Sequence, residues 1–308
     1  MNIEILENSA DFNTDDFNDL MLSIGWTKQE FIDAKPKWSM YNMFRSYDYF
    51  AIAKVDNKTV GVLEAFSDRD NFANSFLYFI AVHKDYQRKG IGRALMRAFN
   101  KHFKHTTTWA VVPCKDGIID GDDFLGSFGF KHQKNNFDLY SRFRNTNYNK
   151  TAENKEIKLE NLEILENCAD FNPKDIDEIQ LSIDWTEQKY LDLKPNWAIY
   201  DVLRNVDYYA IAKINGKAVG LLEAFTDRDN FHTSYLYSIM VHKDYQRKGV
   251  GSALMKAFNE KFSHTTTWVI TPKHKADGAT NFLEKFGFKD SSESFTVFSR
   301  KRNNFKID

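Results

Sequence analysis

The sequence predicts a mixed α/β fold, a mostly antiparallel central sheet flanked by helices, and it predicts that fold twice. Three observations carry the prediction. The chain has 308 residues, long for one ordinary domain and right for two of about 150. The segment Val82-His83-Lys84-Asp85-Tyr86-Gln87-Arg88-Lys89-Gly90 returns as Val241-His242-Lys243-Asp244-Tyr245-Gln246-Arg247-Lys248-Gly249, an offset of 159 residues. In each copy, strand patterns joined by hairpin signals precede a glycine turn that opens an amphipathic helix.

The repeat runs nearly end to end. Asn2-Ile3-Glu4-Ile5-Leu6-Glu7-Asn8 corresponds to Asn161-Leu162-Glu163-Ile164-Leu165-Glu166-Asn167, and the same offset holds through Trp109 and Trp268. Beyond it Phe128-Gly129-Phe130 matches Phe286-Gly287-Phe288, an offset of 158, so the second copy lacks one residue in what reads as a loop. Asn145 to Lys158 is rich in Asn, Lys and Glu and reads as a solvated connection. The expected organisation is a first domain over 1–146, a linker over 147–158 and a second domain over 159–308, each closing its own core.

Within a copy the elements follow in order. A short strand opens it, and a helix starts around Asn13 or Asn172. Thr27-Lys28-Gln29-Glu30 has the spacing of a capping box before a second helix, with Lys189 replacing the glutamate in the second copy. Tyr49 to Val55 and Val60 to Phe66 read as a hairpin around Asp56-Asn57, matched by Asn215-Gly216. Phe76 to Val82 and Tyr235 to Val241 are nearly continuous apolar runs, which predicts a central strand covered on both faces. Leu95, Ala98, Phe99 and Phe103 form one helical stripe, repeated by Leu254, Ala257, Phe258 and Phe262. A β-branched strand entered at His105 or His264, a short helix ending at Gly129 or Gly287, and a last strand complete the copy.

Hydrophobic residues make up 42% of the chain and aromatics 15%, enough for two cores. The formal net charge of −1 lacks the basic footprint of a nucleic-acid binder. With no apolar run near the length of a membrane span and no signal-like start, the expectation is a cytoplasmic protein without membrane or nucleic-acid partners. Cys114 and Cys168 fall at non-equivalent places and lack metal-ligand spacing, so no metal site is expected. Oligomeric state stays open.

The chemistry concentrates at the glycine turn. An apolar strand runs into Gln87-Arg88-Lys89-Gly90-Ile91-Gly92-Arg93, and in the second copy into Gln246-Arg247-Lys248-Gly249-Val250-Gly251-Ser252, then directly into a helix. A helix N-terminus has unpaired N–H groups and the positive end of the dipole, and glycines allow a diphosphate to approach the main chain. A dinucleotide-binding reading fails because Leu95 stands where a third glycine would be and the turn follows a late strand. No Gly-Lys-Ser/Thr supports a P-loop.

Gln-x-x-Gly-x-Gly after a Val-His-x-x-Tyr strand end resembles the coenzyme A signature of the GNAT N-acetyltransferase superfamily. The resemblance covers each copy almost throughout, including the Gly-Trp or Asp-Trp before the second helix, the Val-Gly hairpin and the terminal Gly-Phe. It implies the acyl-CoA N-acyltransferase fold, duplicated, with acetyl-CoA as cosubstrate and an amine as acceptor. It also implies a V-shaped opening between two central strands, with pantetheine along Ile80, Ala81 and Val82 and along Ile239, Met240 and Val241. A backbone N–H of Ala81 or Val82, and of Met240 or Val241, would then hold the oxyanion. The family often places a Tyr just before the terminal Gly-Phe as proton donor and an Asn seven residues earlier. Here those places hold Leu125 and Leu283, and Ile118 and Ala276.

Acetyl transfer needs an uncharged amine, a stabilised oxyanion and a proton for the thiolate. Tyr78 and Tyr237 on the apolar strand are candidate substitute acids, although an aromatic in such a run is more often core. Glu64 and Glu223 open carboxylate-rich segments, Glu64 to Phe72 and Glu223 to Phe231, that could receive the amine proton or bind a cationic amine; the same residues also read as a polar turn. Trp26, Trp38, Trp185 and Trp197 read as core, or as an aromatic wall for an amine. His83 and His242 read as structural.

Overall fold

A computed structural model describes residues 1–34, 47–67, 74–115, 118–119, 122–144, 159–193, 199–200, 203, 206–226, 233–273 and 278–302. The chain forms two compact units. One comprises Met1–Lys134 with Ser294–Asp308, the other Asn135–Glu293.

The first unit holds β1 (Ile3–Glu7), α1 (Thr14–Ser23), α2 (Gln29–Asp33), β2 (Tyr49–Val55), β3 (Lys58–Ser67), β4 (Asn74–Val82), α3 (Ile91–His102), β5 (Thr107–Lys115), β6 (Ile118–Ile119), α4 (Asp122–Gly126) and β7 (Lys131–His132). The chain then crosses into the second unit with β8 (Phe137–Arg142). There follow β9 (Leu162–Glu166), α5 (Pro173–Ser182), α6 (Gln188–Leu191), β10 (Tyr208–Ile214), β11 (Lys217–Thr226), β12 (Thr233–Val241), α7 (Val250–Phe262), β13 (Thr266–Pro272), α8 (Ala279–Lys285) and β14 (Lys289–Asp290). Last comes β15 (Phe295–Arg300), which returns to the first unit.

The sheets run β1-β2-β3-β4-β5-β15-β7, with β6 beside β5, and β14-β8-β13-β12-β11-β10-β9. Among the described residues only β4–β5 and β12–β13 pair in parallel; the neighbours before and after are antiparallel. The mixed sheet with an antiparallel first half is therefore present in both units. Their membership differs from the repeats, because each repeat contributes its last strand to the other repeat's sheet. The expected linker, 147–158, lies outside the described residues.

Local chemistry explains most boundaries. Asn13 caps α1 by accepting from the N–H of Asp15 (2.8 Å), and Asn172 caps α5 by accepting from that of Lys174 (3.1 Å), with Pro173 in the first turn. Asp56 and Asn57 have φ of 49° and 66°, and Asn215 and Gly216 have 52° and 80°, which twists each hairpin as its strands require. The expected capping box does not form. Helix α2 begins at Gln29 with Lys28 at its N-cap and no side-chain cap, since Thr27 lies one residue too early.

One face of the first sheet carries α1 through Phe17, Leu20 and Met21, packed on Ile52, Val62 and Ala81. The other carries α3 through Ile91, Leu95, Met96, Phe99 and Phe103, packed on Leu63, Ala65 and Leu77. The second unit repeats this with α5 and α7. A Cβ at Gly61 would stand 2.9 Å from Ile91 Cγ2, and one at Gly220 2.9 Å from Val250 Cγ1. Glycine there lets the helix start lie against the sheet.

Candidate functional site

Parallel pairing between β4 and β5 stops at Leu77 opposite Ala110, although β4 continues to Val82 and β5 to Lys115. In the second unit it stops at Leu236 opposite Val269, with β12 continuing to Val241. The cause is a bulge. Glu64 faces Phe79 but Ala65 faces Leu77, so Tyr78 is the extra residue; Glu223 faces Ser238 and Ala224 faces Leu236, so Tyr237 is its counterpart. Each bulge bends the strand away from its parallel neighbour and opens a V.

Because of that opening, the second half of β4 is not covered on both faces as its apolar run predicts. Tyr78, Phe79 and Ile80 are half-buried and Tyr237 is 37% exposed.

The ladder fixes which main-chain groups line the V. The His83 N–H donates to the Val60 carbonyl (2.9 Å), so Ala81 and Phe79 turn their polar groups toward β3, while Ile80 and Val82 turn theirs to the open side. The Val82 carbonyl there accepts from Gln87 Nε2 (3.1 Å), and that of Val241 accepts from Gln246 Nε2 (3.1 Å). His242 N–H to Val219 O (2.9 Å) sets the same alternation, so Ile239 and Val241 face the V and Met240 faces β11. Gln87 and Gln246 thus tie the end of the open strand to the glycine turn.

In that turn Arg88 (φ 61°) and Gly90 (φ 88°) are left-handed, as are Arg247 (φ 59°) and Gly249 (φ 97°). Such alternation directs successive N–H groups into one concavity, a nest for an anion. Gly90 and Gly249 are the N-caps of α3 and α7 and provide no side-chain cap, and the first intrahelical bond is Ala94 N–H to Gly90 O (3.0 Å). The N–H groups of Ile91, Gly92 and Arg93, and of Val250, Gly251 and Ser252, therefore point out of the helix end. A Cβ on Gly92 would meet Phe124 of α4 at 3.4 Å, an ordinary contact distance, so α4 packs beside this helix start. Arg88, Lys89, Arg247 and Lys248 are exposed at the rim.

Glu64 in β3 and Glu223 in β11 lie opposite the bulge, where each V begins, and both are buried. They are not members of an open polar turn. Burial pushes the Glu64 carboxyl up to about 8, against the opposing pull of a hydrogen bond from Tyr47. Its Oε1 has no hydrogen-bond partner among the described residues. Burial also raises Glu223, against the Ser238 hydroxyl, which donates to Oε2 at 2.5 Å. Tyr78 stacks on Tyr47 (ring centroids 5.6 Å, 29°) and meets Phe66 edge-on at 5.3 Å; Tyr237 meets Phe225 at 5.3 Å.

Leu125 and Leu283 are buried in the two cores, where they offer no proton donor. Trp26 and Trp185 are surface residues, 60% and 49% exposed, rather than core. Trp38, Trp197 and residues 68–73 and 227–232 lie outside the described residues. His83 and His242 cap a 3-10 turn, each Nδ1 accepting a backbone N–H two residues on (3.2 Å). Among the described residues no group of His, Cys, Asp and Glu could hold a metal ion, and no helix is long and apolar enough to cross a membrane.

Sequence reasoning missed Tyr47 and Ser238. Their signal was available as a mismatch between equivalent positions: Tyr47 corresponds to Val206, and Ser238 to Phe79.

The family model of the acetyltransferase (GNAT) family matches residues 15–116 and 172–288, one match per repeat. The chain belongs to the GNAT family. It therefore sits among acyltransferases, which take an acyl-CoA and an acceptor. This GNAT chain is similar in fold to a tandem GNAT protein from the clavulanic acid biosynthesis pathway, at 13% identity and a TM-score of 0.57, covering 98% of this chain and 99% of that one. It is also similar to a GCN5-related glucosamine N-acetyltransferase region of a fungal multi-domain GH3 β-N-acetylglucosaminidase, at 14% identity and a TM-score of 0.53, covering 97% of this chain and 38% of that one. Both likenesses show a duplicated GNAT fold. No curated protein matches in sequence.

Proposed function

We propose that this GNAT protein is a cytoplasmic N-acetyltransferase that moves an acetyl group from acetyl-CoA to a primary amine of a small molecule, peptide or protein, by direct attack in a ternary complex. One observation carries the reading: in each unit the open edge of a splayed strand leads straight into an anion-binding turn, the two joined by a glutamine. The nest at residues 88–93 or 247–252 would take the diphosphate. The main chain of Ile80 and Val82, or Ile239 and Val241, would pair with pantetheine, and the last free N–H before the bulge would receive the oxyanion.

Proton flow then involves the residues at the bulge. A buried carboxyl with raised proton affinity is suited to take the proton from the substrate ammonium, directly or through water, before the free amine attacks; burial raises both Glu64 and Glu223, which would serve as these bases. As the C–N bond forms and the C–S bond breaks, the thiolate needs a proton, which Tyr78 or Tyr237, the residues of the bulge, would supply. Incubation with acetyl-CoA and a panel of amines, following thiol release and acetylated product by mass spectrometry, tests the reading. Stoichiometric product supports it; no product from any amine defeats it.

A second reading, binding of acyl-CoA without transfer, is favoured by the buried Leu125 and Leu283, which leave the family's frequent proton donor without a replacement at its own place. Tight coenzyme A binding with no turnover would select it.

A further inference from the structure

The two units differ where an acceptor would have to approach. From Val82 to the bulge is four residues of strand, about 13 Å, so an acyl group carried along that edge arrives beside Tyr78 and Phe79. On the α3 side this stretch is filled, with Val82 packed in the α3 core and Phe124 against Gly92. Phe79 lies instead on the α1 side, directly across from Glu64. Its ring meets that of the exposed Trp26 (centroids 4.7 Å, 53°), and Tyr47 and Tyr78 continue the aromatic lining around the carboxylate.

The second unit has the same backbone and other chemistry. Ser238 replaces Phe79, Val206 replaces Tyr47, and the Ser238 hydroxyl bonds Glu223. Trp185 has no ring contact among the described residues, and Tyr237 is exposed. A hydroxyl that donates to a carboxylate keeps lone pairs that can accept from a substrate hydroxyl. A phenylalanine at the same place would leave that substrate hydroxyl without a partner, and would instead favour an aromatic or aliphatic carrier.

Building on the acetyltransferase reading, we infer that the two units take different amines, and that residues 79 and 238 decide which. The first unit takes an amine on an apolar, preferably aromatic, carrier. The second takes an amine whose carrier bears a hydroxyl.

The test uses the full chain with one glycine turn silenced at a time, Gly249→Glu leaving the first unit and Gly90→Glu the second. Phenethylamine and ethanolamine serve as probes. Two quantities are measured: kcat/KM by thiol release, and amine binding to the coenzyme A-loaded protein by calorimetry, which needs no turnover. The first unit is expected to prefer phenethylamine, and the second ethanolamine, each by about tenfold or more. Phe79→Ser and Ser238→Phe should reverse these ratios. Phe79→Leu, should Phe79→Ser fold poorly, should keep the apolar preference, and Ser238→Ala should lose the preference for ethanolamine. Equal preferences in the two units, or ratios indifferent to positions 79 and 238, would overturn the inference while leaving acetyl transfer intact. Coenzyme A binding with no amine bound or acetylated by either unit would remove both.

Discussion

Arg300 Nη2, in the last strand of the second repeat, donates to the carbonyl of Phe103 at the end of the first repeat's helix α3 (3.0 Å), and to Thr108 Oγ1 (2.7 Å). Arg142 makes the reciprocal set, donating to the Phe262 carbonyl (3.0 Å), to Thr267 Oγ1 (3.0 Å) and to Asn259 Oδ1. Both arginines are fully buried, and burial lowers Arg300 to about 10. A cation at a helix C-terminus meets the negative end of the dipole. The exchanged strands are thus fastened to the helices that carry the two glycine turns.

Arg300→Ala should remove one of the donors to the Phe103 carbonyl, which keeps those of Thr106, and one partner of the Thr108 hydroxyl, which keeps Ser75, and should open a void beside Phe130, costing about 3 kcal/mol. The midpoint of urea unfolding, followed by circular dichroism, should fall accordingly. An unchanged midpoint would mean that the arginine is not holding the strand.

Cutting the chain at a protease site inserted within 147–158 should not separate the repeats, because each sheet still contains a strand of the other. Native size exclusion should return one species with the mass of both fragments. Two separate peaks would contradict the exchange.

The exchange itself was not legible. Phe137-Asp138-Leu139-Tyr140-Ser141-Arg142 and Phe295-Thr296-Val297-Phe298-Ser299-Arg300 have the same period and the same terminal arginine, so no local property says which sheet each will join. The turn before each, Gln133 to Asn136 or Ser291 to Ser294, has the same length. By contrast, the hairpins, the stripe on α3 and the glycine turn were readable because each depends on neighbours in sequence. The burial of Glu64 was hidden for the opposite reason: Tyr47, which bonds its carboxyl, and Phe79, across from it, come from separate segments.

Gly61→Ala should push Ile91 and the start of α3 off the sheet, costing about 1–3 kcal/mol and weakening coenzyme A binding, since the nest sits on that helix start. Calorimetry with coenzyme A on this variant should show reduced affinity at one of two sites. Undiminished affinity at both would detach the helix contact from the binding turn.

Glu64 supplies a pH test. Its folded pKa is raised, so the folded state retains a proton that the unfolded state releases, and stability contributed by this group falls as pH rises from the ordinary carboxyl value of 4.5 to about 8. Glu64→Gln should remove that slope, its stability relative to the parent growing with pH across the window. In the Gly249→Glu background, kcat/KM of the parent should climb toward a plateau above about 8 as the base ionises. Parallel stability curves for Glu64→Gln and parent would refute the assignment.

Tyr78→Phe and Tyr237→Phe separate acid catalysis from packing. If the phenol protonates the thiolate, kcat should drop about 10²-fold or more with coenzyme A affinity intact. A kcat within twofold of the parent would assign the proton to another source.

Calorimetric titration of the full chain with coenzyme A tests the central claim most directly. Two sites per chain are expected, one after Gly90→Glu, where a carboxylate faces the diphosphate, and none after Gly90→Glu with Gly249→Glu. Absence of binding to the parent, or binding that survives the double substitution, would contradict the placement of acyl-CoA in the two glycine turns.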